Sequence, residues 1–408
     1  MAALPLVLIG SVFLLLGSFL DALPADWKSD RLKGLIAACY LPVRMLSGAI
    51  TLYVTFGTAR SLARHFQLDE LGVPLMALAS FLVAVGPAPL KELGWGLPGE
   101  RIGPGGLFGA FVVALASVRI QRLAIVLRWT IRMPGSVPEV ISKSFASIIP
   151  GFVSVATVWI WVHGFGLDLV GGLAELARPL IQAGDSLPFV VLLVLVDSVL
   201  WLLGVHPLAI MAAVKPMWLQ MITANSDAVA AGMPPPHLAP REFFLWFVWQ
   251  GGSGTALALA LLLLRARSAQ LKTVGRIGFV PALFNVNEPL LFGAPVVMNP
   301  RLAIPFVVSP VLLATTAWLA LHHGLVRPPS KGVLWTLPAP VGAWLDTGDW
   351  RAVVLQMANL GLAVLVWWPF VRAYDRSLVV SEAAAEAAKG APTDAAPVTD
   401  GPARSEVP

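Results

Sequence analysis

The chain has 408 residues, of which 57% are hydrophobic and only 12% charged. Soluble chains carry about 25% charged residues, so a water-facing surface is excluded and the surrounding solvent is mostly lipid. The net charge of +5 reads as the Lys/Arg bias of cytoplasmic loops, not as a nucleic-acid footprint. Apolar runs of about 17–25 residues recur, the length a hydrocarbon core of about 30 Å demands. The expected fold class is therefore an all-α polytopic membrane protein with about ten spans.

The first apolar run, Leu4 to Leu23, has no basic stretch before it and no small-residue cleavage site, so it reads as a retained span. Further spans are expected near 34–58, 72–90, 107–118, 148–163, 188–204, 207–223, 243–264, 303–322 and 352–371. Arg60 and Arg64 follow the second span, and Arg119, Arg122, Arg128, Arg132 and Lys143 the fourth. Arg265, Arg267, Lys272 and Arg276 follow the eighth, and Arg372 and Arg376 the tenth. Basic loops after even-numbered spans put both termini in the cytoplasm, provided that 279–299 does not cross. That segment, FVPALFNVNEPLLFGAPVVMNP with its last proline at 300, is broken by Pro281, Pro289 and Pro295 around Asn285, Asn287 and Glu288. Irregular backbone at membrane depth survives where it lines a cavity, so a re-entrant pair of short helices is expected. From Ser381 to Pro408 nine alanines, four prolines and no aromatic residue predict a disordered tail. The single cysteine, Cys39, excludes an internal disulfide and any CxxC metal site. It reads as a packing residue.

Ionisable groups inside spans are expensive and mark cavities or partners. Glu288, flanked by two asparagines, is the strongest candidate, against the alternative of a carboxyl capping freed backbone N–H groups. His206 follows Trp201 in VLWLLGVHPLAI. Five residues is a poor helical spacing, but Gly204 and Pro207 suggest a break that brings both to one site, where an indole stacks on a sugar ring. Asp197 reads as a buried acid bonded to a neighbouring helix. His163, His322 and His323 read as interfacial. GGSGT at 251–255 reads as close packing by small residues in preference to a phosphate nest. Walker A, GxSxG and HExxH patterns do not occur, so ATPase, esterase and zincin chemistry have no support, and no metal or cofactor is expected.

FNVNEPLLFGAPVVMNP resembles the signature of the enzyme IIC permeases of the bacterial phosphotransferase system, in their cellobiose/diacetylchitobiose/lactose branch. The resemblance continues through IRMPGSVPEVISKSFASIIPGF, GDSLPF with LWLLGVH, GGSGTALALALLLL and VLWTLPAPVGAWLDTGDWRAVVLQ. It implies a homodimer in the bacterial inner membrane, with re-entrant hairpins, a scaffold half and a sugar-carrying half. The corresponding division is 1–147 for scaffold and dimerisation, 148–380 for sugar binding and transport, and 381–408 for the cytoplasmic tail. By resemblance Glu288 and His206 contact the sugar near the hydroxyl to be phosphorylated, Asn287 assists, and Trp201 and Trp335 stack on the rings. The partners implied are an oligosaccharide and a phosphorylated IIB protein, whose phosphocysteine donates to a β-linked disaccharide. Three departures stand out. Pro207, Leu208 and Ala209 replace the glycine and polar residue the family places after the histidine. The missing basic stretch points to a late start or a divergent first helix. No IIA or IIB domain is fused, and Cys39 lies in a span. These motivate an alternative, a sugar facilitator on the same scaffold without phosphorylation.

Overall fold

The computed structural model describes residues 27–90, 94–131, 133–134 and 137–390, with isolated positions between 13 and 20. The expected first span and the far end of the tail lie outside these residues. Helices dominate: α1 (Asp30–Gly48), α2 (Ile50–His65), α3 (Gly72–Val85), α4 (Leu107–Val126), α5 (Glu139–Ala146), α6 (Ile148–Trp159) and α7 (Leu169–Gly184). There follow α8 (Leu187–Leu202), α9 (Leu208–Ala230), α10 (Ala256–Leu263), α11 (Ala269–Leu283), α12 (Glu288–Gly293), α13 (Pro300–His322), α14 (Ala339–Thr347) and α15 (Trp350–Gly390).

Several helices depart from the expected spans. The run at 34–58 is two helices, α1 and α2, parted at Ala49. The run at 72–90 stops at Val85, where Gly86 turns with φ +67°. A two-stranded antiparallel hairpin follows, with Ala88–Leu90 paired to Gly94–Gly96. The fourth span continues to Val126, so Arg119 and Arg122 lie on α4 and not in a loop. Both guanidinium groups stand over the Phe66 ring, at 5.2 and 4.1 Å, a cation–π clamp between the ends of α2 and α4. Helix α7 was not expected, and it meets α8 at 87°. The run at 243–264 is broken by the glycine loop into a turn at Phe244–Val248 and α10. Of the basic stretch after it, Lys272 and Arg276 lie on α11, which the Ser268 side chain caps by accepting from Leu271 N–H. Helix α15 runs to Gly390, so residues 381–390 of the expected disordered tail are helical.

Among the described residues four helices are individually long and apolar enough to cross a membrane: Pro104–Val126, Ser144–Gly164, Pro300–His322 and Trp350–Ala384. The bent α7–α8 pair would be a fifth. Helix α3 is apolar but only 14 residues long.

Helices α2, α3, α4 and α6 pack together. Small residues fill their contacts, with Ala59, Ala63, Ala77 and Ala114 fully buried. Ser80, Ser117 and Ser154 bond one another across α3, α4 and α6, links worth about 0.6 kcal/mol each in membrane helices. Helix α6 thus packs with this first group. Helix α7 packs on both α4 and α9. The second group packs α8 against α13, and α10, α13 and α14 against α15. Two aromatic-rich cores fill it, one around Trp218, Phe244 and Trp246 and one around Phe306 and Trp367. At the α7–α8 corner the Asp185 carboxylate accepts from Leu238 and Ala239 N–H and pairs with His237 Nδ1 at 2.7 Å. The GDSLPF motif is therefore a corner clamp.

Candidate functional site

Helix α8 ends in a Schellman turn. Val205 N–H donates to the Leu200 carbonyl and Gly204 N–H to that of Trp201, with Gly204 at φ +75°. The reversal lays the exposed His206 ring against the buried Trp201 indole, with centroids 4.7 Å apart. Helical spacing could not have paired them, whereas the break does. Pro207 is buried at the start of α9.

The NVNEP segment meets this end of α8. Met298 N–H donates to the Leu202 carbonyl at 3.0 Å, and Phe292 meets Trp201 edge-on at 6.5 Å. Glu288 stands four residues before Phe292 in α12, on the same helix face, and its side chain is exposed. Contacts thus run from α12 through Phe292 and Trp201 to His206.

The two asparagines of the motif have different tasks. Asn285, left-handed at φ 63°, makes the turn between α11 and α12, a conformation asparagine tolerates better than most residues. Its Oδ1 accepts from Gly251 N–H at 3.1 Å, and its Nδ2 donates to the carbonyls of Trp335 and Leu337 at 2.7 and 3.1 Å. Asn287 is 5% exposed and donates from Nδ2 to the Ser253 carbonyl at 3.2 Å. Both therefore tie the turn to GGSGT. That loop is left-handed at Gly251, Gly252, Gly254 and Thr255, and a Cβ on Gly252 would come within 2.6 Å of Asn287 Cγ. Thr255 is pinned by the Ser309 hydroxyl and the Trp367 indole at 2.9 and 2.8 Å. Close packing by small residues holds for this motif, which forms a loop leading directly into α10. Asp197 is buried on α8, and its Oδ2 has no hydrogen-bond partner among the described residues.

Trp335 is half-buried and packs against the core around Trp218 and Trp246. It joins the site through its backbone carbonyl. Its loop is fixed from behind by Asp346, fully buried, whose Oδ1 accepts from the N–H groups of Ser330, Lys331 and Gly332. Trp246 Nε1 donates to Oδ2 at 2.8 Å. Burial raises the Asp346 pKa, and these four donors pull it back. Glu242, buried just ahead of the apolar run at 243, is pushed up to about 7 by burial and by the Asp346 charge. In TGDWR, Asp349 accepts from Arg351 N–H and its guanidinium, starting α15.

Phe292, Trp201 and His206 thus form one contact chain, with Glu288 one turn before Phe292, Asn287 tied to the glycine loop and Trp335 joined through Asn285. Sequence reasoning did not single out Phe292, Ser253 or Asp346. Phe292 was legible as the i+4 neighbour of Glu288. The other two act through contacts distant in sequence. Among the described residues no cluster of three metal-ligating side chains occurs.

A family model described as "Phosphotransferase system, EIIC" matches residues 1–310. The cellobiose-specific EIIC component of Geobacillus stearothermophilus is 33% identical over 406 residues, spanning 94% of this chain and 89% of that protein. The lactose-specific EIICB component of Lacticaseibacillus casei is 30% identical over 405 residues, spanning 94% and 68% respectively. Among solved structures, that of ChbC, the IIC component of the N,N'-diacetylchitobiose-specific phosphotransferase system, superposes with a TM-score of 0.86. It is 34% identical, with 93% of each chain covered. The chain belongs to the EIIC family of the phosphotransferase system, the membrane-embedded sugar permeases that act with a IIB domain.

Proposed function

We propose that this permease takes up a β-linked disaccharide such as cellobiose or diacetylchitobiose and presents it for phosphorylation by a separate IIB protein. The observation that supports this reading is the meeting of two broken helices at the Phe292–Trp201 contact, with the His206 ring against Trp201 and exposed Glu288 one turn before Phe292. A β-linked disaccharide offers flat C–H faces, and Trp201 and Trp335 offer indoles to stack on them. Asn287, with its Nδ2 committed to Ser253, offers Oδ1 to a sugar hydroxyl.

The chemistry needs a proton acceptor where the sugar hydroxyl attacks. The hydroxyl oxygen bonds to phosphorus, the S–P bond of the IIB phosphocysteine breaks, and its electron pair leaves on the thiolate. The hydroxyl proton passes to the Glu288 carboxylate or the His206 imidazole. The relatives specific for cellobiose and diacetylchitobiose support the substrate class. The setting is the bacterial inner membrane with both termini cytoplasmic, supported by basic residues after even-numbered apolar runs. Residues 1–147 serve as the scaffold of a homodimer and 148–380 as the moving, sugar-carrying region.

The test is purified protein with Glu288→Gln, read for both sugar binding and sugar-phosphate. Binding within about tenfold of wild type, with product formation reduced at least ~100-fold, is expected for loss of a general base. Product at the wild-type rate would remove Glu288 from the chemistry. Pro207, buried where the family places a polar stretch after the histidine, favours a second reading, a facilitator that passes free sugar.

A further inference from the structure

Helix α15 turns two faces in opposite directions. Trp367, Val371 and Asp375 are buried. The Trp367 indole donates to the Gly254 carbonyl and the Thr255 hydroxyl, and the Asp375 carboxylate accepts from the N–H groups of Arg267 and Ser268. These contacts fix the rotation of the helix. On its other side Val354, Met357, Leu365 and Trp368 stand at helical spacing, each half exposed or more. In a membrane protein such an apolar stripe faces lipid.

The stripe ends abruptly. The run at 352–371 rises about 30 Å, the thickness of the hydrocarbon core. Beyond it the same face carries exposed Arg372 and Arg376, four and eight residues after Trp368. Trp368, Pro369, Arg372, Ala373 and Arg376 line an open recess of about 340 Å³. The Arg372 guanidinium lies 5.6 Å from the centre of the Trp368 indole. Neither arginine pairs with a carboxylate among the described residues, and Asp375 and Glu382 are already engaged by the head of α11. The Arg301 guanidinium bonds the Ser377 hydroxyl at 3.0 Å and brings a third cation to this turn. Like charges four residues apart on a helix repel, and an anion between them relieves that repulsion.

We infer that this recess binds the headgroup of an anionic phospholipid. The two guanidinium forks hold its phosphate, the indole sits at the interface beside its glycerol esters, and its acyl chains run along the apolar stripe. Basic recesses at the edge of a span suit such headgroups. The site stands apart from the sugar site, because α15 turns its other face to the glycine loop.

The experiment titrates the purified full chain in neutral detergent with phosphatidylglycerol or phosphatidylcholine, and counts bound lipid by native mass spectrometry. About 0.15 M ammonium acetate shortens the Debye length to about 8 Å, so that direct contacts dominate. Wild type should hold phosphatidylglycerol at least about tenfold more tightly than phosphatidylcholine. Arg372→Gln with Arg376→Gln should weaken phosphatidylglycerol binding about tenfold or more. Lys272→Gln with Arg276→Gln removes the same charge from exposed positions on α11 and should change it by no more than about twofold. Equal losses in the two double variants would mean diffuse attraction and overturn the inference. Displacement of the lipid by millimolar inorganic phosphate would make this a free-anion site and overturn it as well. Unchanged lipid retention in the Arg372/Arg376 variant, with sugar-phosphate formation lost, would assign the arginines to a protein partner instead. If that double variant fails to insert, Arg372→Gln and Arg376→Gln singly, each expected to weaken binding about threefold, decide the matter against Lys272→Gln.

Discussion

Trp201 is where the site's two segments touch, since it faces both His206 and Phe292. Trp201→Ala removes the proposed stacking surface and the ring against which His206 lies. Sugar affinity should fall about tenfold or more, and Trp201→Phe should recover most of it. Titration calorimetry on both variants checks this, and an unaffected Trp201→Ala would place the sugar elsewhere. Glu242 gives a pH prediction. Its carboxyl has an ordinary value of 4.5 and is pushed up to about 7 in the fold. Between those values the folded chain holds a proton that the unfolded chain has released. Stability therefore falls as pH rises through this window and levels off above it. Glu242→Gln removes that slope. Melting midpoints from about pH 4.5 to 8 should diverge between wild type and variant toward the alkaline end, and parallel profiles would contradict the assignment.

At the scale of elements, the glycine loop is the part that tolerates least. An alanine at Gly252 would need φ near +103° and would crowd Asn287 Cγ at 2.6 Å, a strain of about 1–3 kcal/mol. Gly252→Ala should lower both the melting midpoint and sugar affinity, because the crowded atom belongs to the turn that presents Glu288. Gly361 in α15 has nothing within 4 Å of its added Cβ, so Gly361→Ala should be neutral or stabilise by about 0.5–1 kcal/mol. Equal effects at the two positions would contradict this account. The same loop shows what a sequence reveals. The break at 279–300 was legible because proline and asparagine mark it chemically. The break at 249–255 was not, since apolarity continues through it and only left-handed backbone distinguishes it. Trp201 and His206 were legible as a pair only through Gly204, whose turn overrides helical spacing. Helix α7 escaped because LVGGLAELARPLIQAG mixes polar and small residues and lacks a span's hydropathy.

Across the whole molecule, composition settled the all-α membrane class, but it misjudged where the chain stops being ordered. Asp375 accepts from the N–H groups of Arg267 and Ser268, and Glu382 from the Ser268 hydroxyl and the N–H groups of Ala269 and Gln270. These donors at the head of α11 hold α15 beyond Ser381. No local composition encodes a partner more than a hundred residues away. Glu382→Ala should therefore lower the melting midpoint and speed amide exchange at 268–271, and an unchanged exchange pattern would show the contact to be idle. The central claim, that broken helices meet to present a sugar for phosphoryl transfer, is tested most directly in sealed vesicles. Wild-type protein would be followed with labelled cellobiose and diacetylchitobiose, with and without phosphorylated IIB on the cytoplasmic-facing side. The account predicts sugar-phosphate only when the donor is present. Free sugar equilibrating with no phosphorylated product, donor or not, would contradict it and leave the facilitator.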